Sequence, residues 1–162
     1  MTERLGILIS GRGSNMAAIL DAIADGELRA EARLVLSNKA AAPGLERARA
    51  AGVRTAVVRH RDYPSREAFD EAMVAELKAV EVDWVVLAGF MRIVTPVFLR
   101  AFPWRVVNIH PSLLPAFVGV DAQAQALAYG VKVSGCTVHL VDEGVDAGPI
   151  LAQAAVPVRP DD

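Results

Sequence analysis

Short apolar runs alternate with helically spaced apolar stripes along most of this chain. Residues 5–9, Leu-Gly-Ile-Leu-Ile, form a compact run that reads as a buried strand. Met16, Ile19, Leu20 and Ile23 then fall at helical spacing, with Ser14 placed to cap the helix. A second strand is expected over 32–36, a short helix over 45–51 stopping at Gly52, and a third strand over 54–58. The Ala-rich stretch 40–51 reads as helix rather than spacer. Ser65 precedes a long helix whose Phe69, Met73, Leu77 and Val80 make one apolar stripe. Strands follow at 84–88 and 105–109, a helix at 121–129 ending at Gly130, and two strand-like runs at 136–141 and 150–156. Strand–helix alternation predicts an α/β fold, a mostly parallel, twisted, Rossmann-like sheet with helices on both faces. The last two runs lie too close for a helical crossover, so an antiparallel edge is expected near the C-terminus.

Composition narrows the classes. The chain has 162 residues with 53% hydrophobic content, enough to fill one core. A net charge of −2 with scattered basic residues gives no general attraction to nucleic acid or an anionic membrane. No apolar run approaches the ~20 residues of a membrane-spanning helix, and Arg4 and the 11–13 turn interrupt the first apolar run, so no secretory leader is expected. Cys136 is the only cysteine, which rules out an internal disulfide and fits a reducing cytoplasm. The partners expected are therefore small molecules.

Ser10-Gly11-Arg12-Gly13-Ser14-Asn15 joins the first strand to the first helix. Glycines allow a tight turn and close approach, and a helix N-terminus offers unpaired N–H groups to an anion, so a phosphate is the natural guest. A dinucleotide fits less well. Met16 stands where the third fingerprint glycine belongs, and Ser37-Asn38 where a ribose-binding acid belongs.

Asn108 and His110 end a strand before Pro111 and Pro115 stop regular structure. They place an amide donor and a titratable imidazole where open α/β sheets put ligands, a pairing suited to chemistry at a carbonyl. Asp146, in the glycine-punctuated loop 142–149, is the acid best placed to approach His110 and favour its charged form. His139 sits inside an apolar strand, where a lone histidine is usually a hydrogen-bonded structural residue. His60, among Arg59, Arg61 and Asp62, reads as a solvated surface residue. Ser14 or Ser112 as a hydrolase nucleophile lacks the Gly-x-Ser-x-Gly elbow.

Five ordered segments, SGRGSN (10–15), SRE (65–67), LAGFMRIV (87–94), NIHPSLLPAF (108–117) and GCTVHLVDEGVDAGPILAQ (135–153), resemble one family, the folate-dependent phosphoribosylglycinamide formyltransferases of purine synthesis. The resemblance implies a formyltransferase fold and transfer of a formyl group from 10-formyltetrahydrofolate, as co-substrate, to the glycinamide amine of 5-phosphoribosylglycinamide, without a metal. It implies that Asn108, His110 and Asp146 are catalytic, with His139 supporting them from behind. Gly13, Ser14 and Asn15 would hold the phosphoribosyl group. Arg66, the backbone of Met91, Arg92, Ile93 and Val94, and Asn108 would hold the folate. A monomer or homodimer in the cytoplasm is implied. Within the same fold, methionyl-tRNA and sugar formyltransferases share the Asn/His/Asp trio but not the glycine loop. A folate-binding module without turnover and an NAD-dependent oxidoreductase are the alternatives from other classes.

Two departures carry expectations. Val118-Gly119-Val120-Asp121 stands where the family often has Pro-Gly-Leu-His, leaving Asp121 to cap the next helix. The chain ends at Asp162 where the family continues, so residues 1–162 are expected to form a single formyltransferase domain lacking the C-terminal helix region, with weakened ribotide binding and an exposed apolar sheet face.

Overall fold

A computed structural model describes residues 1–162. The strands are β1 (Glu3–Ile9), β2 (Ala30–Ser37), β3 (Thr55–Val57), β4 (Trp84–Leu87), β5 (Val106–His110), β6 (Val133–Leu140) and β7 (Ile150–Pro157). The helices are α1 (Ser14–Ala24), α2 (Gly44–Ala50), α3 (Arg66–Ala79), α4 (Pro96–Ala101) and α5 (Ala122–Tyr129), with a 3₁₀ turn at His60–Asp62. The strand order is β3-β2-β1-β4 among the first four strands and β5-β6-β7 among the last three. The expected class, an α/β fold with an antiparallel C-terminal edge, is borne out. No helix is long and apolar enough to cross a membrane.

Two compact units divide the chain, Met1–Val106 and Val107–Asp162. In the first, β1 pairs in parallel with both β2 and β4, and β2 with β3. Ile7, Leu8 and Ile9 are fully buried, as a strand covered on both faces requires. Leu5, Ile7 and Ile9 pack with Met16 of α1 and with Leu45 and Ala48 of α2. Gly6 faces the other way, and a side chain there would meet Leu77 of α3 at 2.5 Å. Because β1 is flanked by β2 on one side and β4 on the other, the connections reverse direction between β1 and β4. The carboxyl ends of those two strands are where such sheets bind ligands.

In the second unit β5, β6 and β7 form an antiparallel ladder. The antiparallel pairing therefore begins one strand earlier than the spacing of the last two runs indicated. Although α5 lies between β5 and β6, β6 returns beside β5 in the opposite direction. Ile150, Leu151 and Val156 of β7 are exposed.

Three local expectations are corrected. Ser14 is the first helical residue rather than the cap: Gly13 occupies the cap position with φ 71°, and no side chain caps the helix. Within the Ala-rich stretch only Gly44–Ala50 is helical, because Pro43 begins the turn and the preceding residues bend. Helix α4 was not foreseen from its six residues. Thr95 and Pro96 start it, and its buried Phe98 meets Phe102 at a ring separation of 5.4 Å. Ser65 does cap α3, accepting the Ala68 N–H at 3.0 Å.

Candidate functional site

The first unit supplies two binding elements. The glycine loop turns from β1 into α1 through Gly13, whose left-handed backbone is natural only for glycine. Gly44 lies against this loop, its N–H bonding the Gly11 carbonyl at 3.0 Å. The first turn of α1 holds no acid and no capping side chain. Its leading N–H groups therefore have no intrahelical or side-chain acceptor, and the helix dipole adds partial positive charge. Ser14 and Asn15 are exposed beside them. This arrangement suits an anion.

The second element is the irregular segment after β4. Met91 and Ile93 are exposed at 65% and 62%, and only Val94 of residues 91–94 is buried, so apolar burial anchors little of the segment. Hydrogen bonds hold the rest. Ser10 Oγ accepts the Met91 N–H at 2.9 Å and donates to Asn38 Oδ1 at 2.6 Å. Arg66 Nη2 donates to the Ile93 carbonyl at 3.0 Å. Asp70 Oδ2 accepts both the N–H and the hydroxyl of Thr95, each at 2.7 Å. Burial pushes the Asp70 carboxyl above its ordinary range, opposed by the Thr95 hydrogen bonds and the charge of Arg66.

His60 differs from its expected solvated setting. Its ring is partly covered, lies edge-on to Phe69 with centroids 6.1 Å apart, and brings Nδ1 to 3.4 Å from Asn38 Nδ2. Partial desolvation lowers its proton affinity, reinforced by the charges of Arg92, Arg61 and Lys39. Only an unprotonated Nδ1 accepts from the Asn38 amide.

The second unit holds the polar cluster. Asn108 and His110 are two residues apart on β5 and so share a face. Antiparallel register sets Asn108 directly opposite His139, and Asn108 Nδ2 lies 3.2 Å from His139 Nε2. His139 Nδ1 lies 3.0 Å from the Leu140 carbonyl, which only accepts. His139 is therefore protonated at Nδ1 and accepts at Nε2 from the Asn108 amide. That bond fixes the amide plane and leaves its second N–H for another acceptor.

His110 is 5% exposed. Its Nε2 lies 2.9 Å from the Phe117 carbonyl, and its Nδ1 is 3.5 Å from Asp146 Oδ2. Asp146 Oδ1 lies 3.9 Å from His139 Nε2, and Asp146 Oδ2 accepts the Gly119 N–H at 2.8 Å. His110 Nε2 thus faces a carbonyl that only accepts, and Nδ1 faces a carboxylate oxygen across 3.5 Å.

Phe117, Asp121 and Asp146 all have φ between 51° and 54°, the left-handed region that is costly for side chains larger than glycine. Such positions gather at functional sites, held by surrounding contacts. Gln125 supplies two, donating to the carbonyls of Val118 at 3.0 Å and Val120 at 2.9 Å. Asp121 occupies the cap position of α5 with a left-handed backbone, and contrary to expectation its side chain makes no capping bond. No group of three or more His, Cys, Asp or Glu side chains is arranged to hold a metal ion.

The structure thus brings Asn108, His110, His139 and Asp146 together, and joins Arg66 to the 91–94 segment. Sequence reasoning passed over Ser10, Asn38, Asp70, Thr95 and Phe117. Asp70 carried a signal, as an acid next to Phe69 and three residues before Met73 on the apolar stripe of α3. The carbonyl of Phe117 carried none.

A strand-to-helix glycine loop on a doubly wound sheet and an Asn/His/Asp cluster at a strand end together match one family: the chain belongs to the formyl transferase family, whose profile matches residues 3–162. The resemblance read from the motifs is borne out. The chain is 47% identical over 152 residues to the phosphoribosylglycinamide formyltransferase of Escherichia coli (strain K12), a match spanning 94% of this chain and 72% of that protein. It superposes with a TM-score of 0.97 on glycinamide ribonucleotide transformylase 1 from Symbiobacterium toebii, at 55% identity, over 99% of this chain and 76% of that one. It is also 52% identical over 162 residues to the trifunctional purine biosynthetic protein adenosine-3 of Drosophila pseudoobscura pseudoobscura, but spans only 12% of that protein.

Proposed function

We propose that this formyltransferase moves a formyl group from 10-formyltetrahydrofolate to the glycinamide amine of 5-phosphoribosylglycinamide, a step of de novo purine synthesis. The observation that carries this reading is the Asn108–His110–Asp146 cluster, braced by His139, in a chain of this family. The amine attacks the formyl carbon, and the carbonyl oxygen gains negative charge. The free N–H of Asn108 donates to that oxygen, and a charged His110, whose own N–H groups face Phe117 and Asp146, steadies it through its positive charge. The Asp146 carboxylate keeps the positive charge on His110 favourable and accepts, through water, the proton that the attacking nitrogen loses. The carbon–nitrogen bond to N10 then breaks, and N10 takes up a proton.

Gly13, Ser14 and Asn15 hold the phosphoribosyl group through the uncapped start of α1. Arg66 and the backbone of Met91, Arg92, Ile93 and Val94, together with Asn108, hold the folate. The scheme uses no metal. The partners are small molecules rather than nucleic acid or membrane, the setting is the cytoplasm, and the protein acts as a monomer or homodimer.

The test supplies the purified chain with both substrates and follows formation of tetrahydrofolate optically and of the formylated ribotide by mass. Equal amounts of both products are expected. Neither product, or formyl release to water without ribotide formylation, would overturn the assignment.

A further inference from the structure

We infer that Ser10 and Asp70 are positioning residues for the folate donor, fixing the two ends of the 91–95 segment. The inference rests on the folate reading of residues 91–94 given above. Met91 and Ile93 turn apolar side chains outward, and no strand ladder or helix uses the backbone of 91–94. Val94 alone of these residues is buried, so a small set of hydrogen bonds locates most of that backbone. At its start, the Met91 N–H donates to Ser10 Oγ, which is itself oriented by donating to Asn38 Oδ1. Ser10 is 5% exposed and Asn38 2%, so water does not readily replace either partner. At its end, Asp70 takes both donors of Thr95 on one oxygen.

Both residues are costly choices for packing alone. Asp70 is 2% exposed on a helix stripe otherwise filled by Phe69, Met73 and Leu77. Burying a carboxylate there is justified by what it holds. Thr95 also begins α4, so a purely structural role, starting that helix, is the competing explanation. The two explanations differ in outcome. A segment fixed before the ligand arrives loses less freedom on binding, so releasing either end weakens one ligand selectively. A helix-starting role would change stability and leave ligand preference alone.

The test is titration calorimetry with tetrahydrofolate and, separately, with 5-phosphoribosylglycinamide, accompanied by thermal melts. The proteins are wild type, Ser10→Ala, Asp70→Ala, Asp70→Asn and Ile93→Glu. Ser10→Ala, which removes one hydrogen bond to the segment, should weaken tetrahydrofolate about tenfold, and Asp70→Ala, which removes two, at least as much. Asp70→Ala should leave ribotide affinity unchanged. Asp70→Asn, which keeps an oxygen for Thr95, should remain within about twofold of wild type for folate. If Asp70→Ala does not fold, Ser10→Ala and Asp70→Asn carry the decision by the same folate criterion. Loss of folate binding in Ile93→Glu alone would keep the folate reading and overturn the positioning roles. Equal losses for both ligands would likewise overturn them. No folate binding by wild type, or no loss in any variant, would overturn both.

Discussion

Replacing Asp146 by Asn removes one charge while keeping size and shape. The carboxylate is 3.5 Å from His110 Nδ1, and the two side chains are 11% and 6% exposed. Coulomb's law at that distance gives roughly 5 kcal/mol with an effective dielectric of about 20, and roughly 1 kcal/mol in bulk water. A value near 3 kcal/mol, between these limits, corresponds to about a hundredfold in rate if the charged ring is needed in the transition state. The Gly119 N–H, now bonded to Asp146 Oδ2 at 2.8 Å, still finds an amide oxygen in the variant. That contact survives, so the loss of fold stability should not exceed the roughly 3 kcal/mol of the charge pair itself. The assay is kcat at saturating concentrations of both substrates, with thermal melting of the same preparations. A variant that melts like wild type and turns over within threefold of it would refute the charge-support role of Asp146.

Three further outcomes follow from other parts of the molecule. His139→Leu removes the acceptor that orients Asn108 and should lower kcat about tenfold and raise the folate KM, with little change in the ribotide KM, read from steady-state kinetics. Gly44→Val would bring its Cβ to 2.6 Å from Ile9 Cδ1 and 3.0 Å from the Gly11 carbonyl, so it should destabilise by about 1–3 kcal/mol and raise the ribotide KM, measured by urea unfolding and kinetics. The Asp83 carboxyl is lowered from 3.8 to about 2, chiefly by the side-chain hydrogen bonds from Arg4. A carboxylate depressed in the folded state contributes stability above its unfolded value and loses it as pH falls from 3.8 to about 2. Arg4→Met should therefore flatten that part of the stability curve in urea titrations, and an unchanged slope would count against the pair.

The parts of the fold that follow from local pattern were legible in the sequence. Buried β1, the Ser65-capped α3 and the glycine turn each rest on residues close together in the chain. The site's membership was legible as residue types: an amide and an imidazole two apart on a strand, and an acid in a glycine-rich loop. Its geometry was not. His139 reaches Asn108 only because β6 runs antiparallel to β5 in the register that opposes them, and α5 between the two strands gave no sign of that reversal. Asp146 reaches His110 from a left-handed backbone position, which no pattern marks. The acceptor at His110 Nε2 is a main-chain carbonyl, and every residue has one. His60 looked solvated because its neighbours in sequence are charged, whereas its neighbours in space include Asn38 and Phe69. Long-range register and backbone conformation decide such contacts.

The most direct measurement is single-turnover formyl transfer by His110→Ala beside wild type, with tetrahydrofolate affinity determined on both. Asn108, Asp146 and the 91–94 segment are left unchanged in the variant. Turnover lower by at least about a thousandfold, with folate affinity within a few-fold of wild type, is the expected result. Transfer by His110→Ala at near wild-type rate would contradict a catalytic centre built on Asn108, His110 and Asp146.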